Sequence, residues 1–192
     1  MKILVCISSV PDTTSKINFT ADKSAFDKNG IQWVINPYDE FALTKAVKLQ
    51  ESQGATVTIA TVGDAATEAV MRKALAIGAN DAIRVNAEPK DSITVAKELA
   101  KIVEEGGYDL VLCGKESIDY NGAAVPAMIA QLLNRPFVNA CVGLEVNGAE
   151  ATAVREIEGG KETLSVKLPA VIAGQKGMVE EKDLIIPNMR GI

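Results

Sequence analysis

The sequence lacks histidine altogether, and this absence excludes every device that depends on an imidazole. Ser-His-Asp and Cys-His nucleophiles, HExxH zinc sites and imidazole pH switches are ruled out. The chain also has no GxxxxGK[ST] motif and no GxGxxG after its first apolar run, so both standard phosphate-binding fingerprints are missing. It therefore matches neither the common hydrolases nor the standard nucleotide-binding motifs.

Cysteine, basic charge and long apolar runs are also scarce. The three cysteines, Cys6, Cys113 and Cys141, lie in apolar runs without CxxC spacing, which is typical of reduced, buried side chains in a cytoplasmic protein. The 20 Lys and Arg residues are interspersed with 25 Asp and Glu residues, so we expect no nucleic-acid partner. No apolar run approaches the roughly 18 residues of a membrane helix, so we expect no membrane insertion.

What the sequence does contain is an alternation of strand-like and helix-like segments. Of its 192 residues 47% are hydrophobic, enough for one domain with a core of its own. Short apolar runs predict strands at 2–7, 56–62, 82–86 and 109–113. Segments whose apolar residues recur at three and four predict helices at 38–52, 65–76, 92–105 and 122–133. This alternation indicates an α/β fold with an open, mainly parallel sheet and helices on both faces.

The pattern changes after residue 134. Strand-like runs at 137–146, 151–157, 163–168 and 170–173 follow one another with only short turns, which predicts an antiparallel C-terminal extension. From residue 174 the periodicity is lost although the end of the chain is apolar. We therefore predict one domain over 1–192 whose segment 174–192 is a partner-docking tail.

A segment of about thirty residues separates the first strand from its helix. Loops this long in a compact domain are usually functional, although an ornamental flap is the alternative. Within it, 16–20 and 31–35 alternate well enough to predict a small hairpin, with Asn29 and Gly30 in its turn.

A ligand of an open parallel sheet binds beyond the carboxyl ends of the strands, where the strand order reverses. Here we expect that point between the first and fourth predicted strands, which lead into segments 7–12 and 114–122. The fourth predicted helix would start with Gly122, Ala123 and Ala124, whose free N–H groups suit a nucleotide phosphate. Close helix packing is the alternative explanation of these small residues. The acids nearby form no catalytic constellation, so no catalytic residue and no metal site are predicted.

Several stretches, in this order and spacing, carry a family resemblance. They are KILVCI (2–7), VPDT (10–13) with KI (16–17), INPYDEFAL (35–43), RKALAIGAN (72–80), DLVLCGK (109–115), ID (118–119), REIEGGKETL (155–164) and LPAVIA (168–173). Together they resemble the beta subunit of electron transfer flavoprotein over nearly the whole chain. The resemblance implies an adenine nucleotide alpha hydrolase-like, Rossmann-like fold.

The resemblance further implies a heterodimer with the electron transfer flavoprotein alpha subunit, carrying FAD mainly on the alpha partner. At the switch point of the beta subunit, relatives hold AMP or a second FAD. The carried-over cofactor-binding residues are Cys6, Ser8, Asn36, Pro37, Tyr38, Asp39, Val62, Asp119, Tyr120, Asn121, Gly122, Ala123, Ala124 and Val125. Thr13 occupies a place near the flavin of the alpha subunit. The chain would then be an electron carrier and not an enzyme.

Relatives also dock acyl-CoA or other dehydrogenases through a loop that follows the LPAVIA stretch. Here that loop is 175–183, with Met178 as an exposed apolar anchor and Lys176 and Val179 beside it; packing of Met178 onto its own domain is the alternative. Two departures stand out. Ala124-Val125-Pro126 replaces the Gln and Gly that relatives carry, and the chain ends before the arm that relatives extend onto the alpha subunit.

Two other classes of function stay open from the residues alone. One is a stand-alone adenine-nucleotide sensor of the universal-stress type, which the loop after Cys113 disfavours because it lacks repeated glycines. The other is a nucleotide-cleaving enzyme, opposed by the missing phosphate-loop glycines and the missing histidine.

Overall fold

The computed structural model describes residues 1–187. Its strands are β1 (Lys2–Cys6), β2 (Ser9–Pro11), β3 (Trp33–Ile35), β4 (Thr56–Val62), β5 (Asp81–Val85), β6 (Leu110–Gly114), β7 (Phe137–Asn147), β8 (Glu150–Ile157), β9 (Gly160–Lys167) and β10 (Ala170–Gly174). The α-helices are α1 (Pro37–Gln53), α2 (Glu68–Ile77), α3 (Ser92–Gly106) and α4 (Val125–Leu132). Short 3₁₀ turns lie at Ala65–Thr67 and Glu181–Asp183.

The central sheet places β1 between β4 and β6. Its strand order is β5-β4-β1-β6-β10-β7-β8-β9, and all neighbours from β5 to β7 are parallel. The chain builds outward from β1 to β4 and β5, then returns to the other side of β1 as β6. The predicted reversal of strand order between the first and fourth parallel strands is therefore confirmed, as is the α/β fold.

Alternating side chains of β1 divide the core into two layers. Ile3 and Val5 face the cluster formed with α1 and α2, whereas Leu4 and Cys6 face the cluster formed with α3 and α4. All four residues are buried, as expected for a central parallel strand covered on both sides. Helices therefore cover both faces of the sheet, as predicted.

The predicted antiparallel extension is correct for β7, β8 and β9 but wrong for the last strand. The strand β10 lies between β6 and β7 and is parallel to both. Every residue of β10 is buried, which is the pattern of a strand inside a covered parallel sheet. The antiparallel hairpins extend this same sheet at its far edge.

The hairpin predicted in the long first loop has a different partner strand. β3 pairs antiparallel with β2, which directly follows β1, and not with residues 16–20. Val10 of β2 is fully buried, whereas Ile17 and Phe19 are exposed. The pairing thus follows burial, because the alternation at 16–20 has no core to face.

The fourth helix begins three residues later than predicted. α4 starts at Val125, with a proline in its first turn. Proline lacks an N–H group and is tolerated only at a helix start, so Pro126 places the start close to itself. Ala123, with a φ of 48°, lies outside the helix. Gly122, Ala123 and Ala124 are therefore not the first helical turn.

The segment after β10 folds back over α1. Leu184 and Ile185 are half-buried against the core, and Lys48 of α1 forms an ion pair with Asp183 at 3.0 Å. Ile186 is 84% exposed. Residues 188–192 of the predicted docking tail lie outside the described residues. Between residues 1 and 187, no helix is long and apolar enough to cross a membrane.

The position of β10 predicts a contrast between two isoleucines. Ile172 of β10 is fully buried, whereas Ile157 at the end of β8 is 45% exposed. We expect Ile172→Ala to lower the free energy of unfolding by about 2–5 kcal/mol, because it leaves a cavity in the core between the sheet and the helices α1 and α2. Ile157→Ala should change it by about 0.5 kcal/mol or less. Urea unfolding measures both, and similar losses would contradict the central place of β10.

Candidate functional site

The carboxyl ends of β1 and β6 lie side by side where the strand order reverses. Cys6 and Cys113 are register partners across these two strands. Ser8 follows the first strand, and Gly114 closes the second. The two segments that sequence analysis expected to form a ligand crevice therefore start from adjacent points.

A single carboxylate joins these two segments. Asp39, in the first turn of α1, accepts a hydrogen bond from the N–H of Ser8 on Oδ2 at 2.7 Å. Its other oxygen, Oδ1, accepts one from the N–H of Gly114 at 2.8 Å. The side chain is buried. Burial raises the pKa of Asp39 to about 7, although the hydrogen bonds from Ser8, Asn36 and Gly114 act in the opposite direction.

Asn36, which directly precedes α1, forms further hydrogen bonds to the same two segments. The Asn36 side chain donates from Nδ2 to the carbonyl of Glu116 at 2.9 Å, and its Oδ1 accepts from the N–H of Ile118 at 3.1 Å. Its backbone N–H donates to the carbonyl of Ser8 at 2.9 Å. Only 1% of the surface of Asn36 is exposed, so its side chain contacts other protein groups and not solvent.

Gly114 is required by this arrangement. A Cβ at position 114 would lie 2.4 Å from Oδ1 of Asp39 and 2.7 Å from Cβ of Tyr38. Any larger residue would push the start of α1 away from β6. The ammonium of Lys115 lies 5.1 Å from the centre of the Tyr38 ring, which adds a cation–π contact at the same point.

The two thiols at this edge belong to buried, free cysteines, Cys6 and Cys113. The hydrogen bond with Cys6, together with burial, raises the pKa of Cys113 well above its ordinary value. A thiol with a raised pKa carries little thiolate and is a poor nucleophile. The two strand ends supply apolar packing here.

Residues 119–124 form an open loop between β6 and α4. Asp119, Tyr120 and Asn121 are exposed, and Asn121 and Ala123 have positive φ angles of 50° and 48°. Within residues 1–187, the N–H groups of positions 122–124 have no protein acceptor. A run of free N–H groups beside small side chains is an arrangement that binds anions.

The structure brings most of the predicted cofactor-binding residues to one edge. Those at the ends of β1 and β4, at the start of α1 and in the loop before α4 are Cys6, Ser8, Asn36, Pro37, Tyr38, Asp39, Val62, Asp119, Tyr120, Asn121, Gly122, Ala123, Ala124 and Val125. Thr13 does not belong to this set of residues. It lies exposed in a turn where Asp12 accepts from the N–H and hydroxyl of Thr14.

The long first loop covers a neighbouring part of the same edge. Lys28 of this loop lines an open cavity of about 210 Å³, together with Asp64 beyond β4 and Asn86 beyond β5. The ammonium of Lys73 in α2 donates to the carbonyl of Trp33 at 3.5 Å. The loop therefore lies beside the carboxyl ends of the strands, and the functional role expected from its length stays a prediction.

The predicted docking anchor is not exposed. Met178 is 4% exposed and Val179 is 7% exposed, and both belong to the core cluster of α1 and α2. The sulfur of Met178 lies 2.6 Å from where a Cβ on Gly174 would be, so the absence of a side chain there makes room for it. Lys176 is exposed and forms an ion pair with Glu181 at 2.8 Å. The expectation that Met178 projects to solvent is therefore wrong.

Three contributors were missed from sequence. Gly114, Glu116 and Ile118 were read only as part of a segment, and all three act through backbone atoms, which carry no side-chain signal. For Gly114 a signal existed, because a glycine at the end of a buried strand often marks a close backbone approach.

Comparison with known proteins gives a consistent result. Residues 24–190 match the electron transfer flavoprotein domain family. The chain is 34% identical to electron transfer flavoprotein subunit beta of Bacillus subtilis, over 100% of this chain and 74% of the relative. It is 36% identical to the subunit of the same name from Syntrophomonas wolfei, over 100% and 75%. The corresponding figure for the Homo sapiens subunit is 33%, over 98% and 76%.

The close approach at Gly114 predicts a matched pair of variants. Gly114→Ala should lower the free energy of unfolding by about 1–3 kcal/mol, because the added methyl group overlaps Asp39 and Tyr38. Gly160→Ala should be near neutral, since a Cβ there meets no atom within 4 Å. Thermal unfolding followed by circular dichroism compares the two, and an equally stable Gly114→Ala variant would contradict the close approach of Gly114 to Asp39 and Tyr38.

Proposed function

This chain belongs to the electron transfer flavoprotein family as a beta subunit, and from that membership we propose that it carries an adenine nucleotide and helps pass electrons. The observation that supports this most is the reversal of strand order between β1 and β6. There, Asp39 and Asn36 hold together the two segments beyond β1 and β6. Nucleotides bind at such reversal points in open α/β sheets.

We infer that the ligand is AMP or a second FAD, since these share an adenosine and a phosphate. Among the carried-over residues, Pro37 and Tyr38 at the start of α1 are half-buried and offer apolar surface for the adenosine, whereas Asn36 and Asp39 are buried and position the segments around it. The loop 119–125 offers free N–H groups for the phosphate, and the site of a Cβ on Gly122 has only Ser92 Oγ at 4.0 Å. The residues present therefore fit an adenine nucleotide.

The redox chemistry belongs to the flavin of the complex. Bound mainly by the alpha subunit, FAD would supply one- and two-electron transfer between a dehydrogenase and an acceptor. The residues of this chain would bind and orient the nucleotide and exclude water from it. We assign none of them a catalytic step. Pairing with an alpha subunit, docking of acyl-CoA or other dehydrogenases near Lys176, and a cytoplasmic location are further parts of this proposal.

The deciding experiment is purification of the chain together with an electron transfer flavoprotein alpha subunit, followed by extraction of nucleotides. We expect a yellow, one-to-one complex that releases FAD and AMP, or two FAD molecules. A colourless chain that forms no complex and retains AMP would instead favour a stand-alone sensor. Cleavage of added ATP by the chain would favour the enzyme alternative.

The double contact of Asn36 predicts how the site responds to a mutation. Asn36→Ala leaves the carbonyl of Glu116 and the N–H of Ile118 without partners, so the loop beyond β6 loosens. We expect AMP affinity to fall by about tenfold, within the roughly 1–3 kcal/mol that an orphaned buried group costs. Isothermal titration calorimetry measures this change.

Asn80→Ala is the matched control for that variant. Asn80 Oδ1 accepts from the N–H of Val57 at 2.8 Å, near the amino ends of the strands and far from the crevice. Its loss should lower stability but leave AMP affinity unchanged. Equal losses of affinity in the two variants would show that Asn36 affects only general stability.

A further inference from the structure

Asp39 has one property that its neighbours lack: each of its two oxygens is committed to a different segment of the crevice. Oδ2 accepts from Ser8, beyond β1, and Oδ1 accepts from Gly114, at the end of β6. The two donors are backbone N–H groups, which cannot become acceptors. Holding both segments at once therefore needs two accepting oxygens.

We propose that Asp39 is a positioning residue that acts as a proton-operated clamp, in which the ionised carboxylate holds both segments and the protonated acid releases one of them. This inference rests on the proposed function for its link to nucleotide binding. The clamp itself is a property of the chain without ligand.

The physical reason is the loss of one accepting oxygen on protonation. A neutral carboxyl keeps one carbonyl oxygen as a good acceptor, whereas its hydroxyl oxygen carries a proton that needs an acceptor of its own. At the crevice that hydroxyl would face the N–H of either Ser8 or Gly114, so a donor would meet a donor. One segment must then move away from the start of α1.

The working range of the clamp follows from the surroundings of Asp39. Burial, with a smaller contribution from the charge of Asp119, raises its pKa to about 7 against the opposing effect of the three hydrogen bonds. The other ionisable groups nearby are Cys6, Cys113, Lys115, Glu116 and, on the next position of α1, Glu40. Burial raises the pKa of Glu40, while Lys73 of α2 lowers it. Cys113 keeps its proton throughout this range because its pKa is raised.

The sign of the pH effect is opposite for folding and for binding. The pKa of Asp39 is raised from 3.8 in the unfolded chain to about 7 in the folded protein. The contribution of Asp39 to the free energy of unfolding therefore falls as pH rises from about 4 to 7 and is level above that. Asp39 becomes ionised as the pH rises through about 7, and the ionised carboxylate holds both segments. Nucleotide affinity therefore rises with pH.

The first test uses NMR to detect the clamp in the chain without ligand. We expect the amide proton signals of Ser8 and Gly114 to shift together between about pH 5.5 and 8.5, with a midpoint near 7. In Glu40→Gln, which removes a charge from the same helical turn, the shift should persist. In Asp39→Asn it should vanish. Amide signals in the wild-type chain that do not titrate would overturn the proposal even if no variant folds.

The second test reads the effect on the ligand by calorimetry. Adenosine is the main probe, because the phosphate of AMP titrates in the same range, and AMP is the second. If only the ionised form binds, adenosine affinity should fall by roughly thirtyfold from about pH 8.5 to 5.5. Asp39→Asn, whose amide also offers one acceptor and one donor, should bind weakly at every pH. Glu40→Gln should follow the wild type.

The outcomes separate the clamp from the proposed function. Titrating amides with pH-dependent affinity support the proposal. Titrating amides with constant affinity overturn the link between the clamp and the ligand. If neither adenosine nor AMP binds at any pH, nucleotide binding by the chain alone fails, and the amide signals still decide whether the clamp exists.

Discussion

The carboxylate of Asp39 is the contact on which the candidate site depends. It spans two hydrogen bonds, to Ser8 and to Gly114, and so fixes the distance between the segments that leave β1 and β6. Burying a charged group costs several kcal/mol unless it is paired or hydrogen-bonded. Here two backbone donors and the positive end of α1 offset part of that cost, since Asp39 lies in the first turn of this helix, and burial still raises its pKa to about 7. Without it, of the two side chains Asp39 and Asn36, Asn36 alone would join the two segments.

The rest of the edge is built around this contact with few side chains. Gly114 brings the backbone of β6 within reach of the carboxylate, and Asn36 repeats the connection further along the same loop. The loop before α4 then presents N–H groups and small side chains to the outside. Under the proposed function such an edge would bind and orient a nucleotide, which is what a redox carrier needs from a subunit that leaves electron chemistry to a flavin.

In the segment after β10, the structure departs from what the resemblance implied. The resemblance suggested an exposed methionine, but Met178 fills the space beside Gly174 and contributes to the core of α1 and α2. The exposed residues of this region include Lys176, Ile186 and the charged run at 180–183. A surface role here would therefore belong to residues other than the anchor that relatives suggested.

Much of this protein could be predicted from its sequence, because hydrophobic periodicity is local. Periods of two and 3.6 located most strands and helices, their order gave the parallel sheet and its reversal point, and the missing histidine excluded whole classes of chemistry. Other features depend on residues far apart in the chain. The slot of β10 between β6 and β7, the pairing of β3 with β2 and the burial of Met178 were decided by packing. The bond between Asp39 and Gly114 joins residues 75 positions apart, and a backbone N–H leaves no mark on the sequence, so only the tertiary structure could place it.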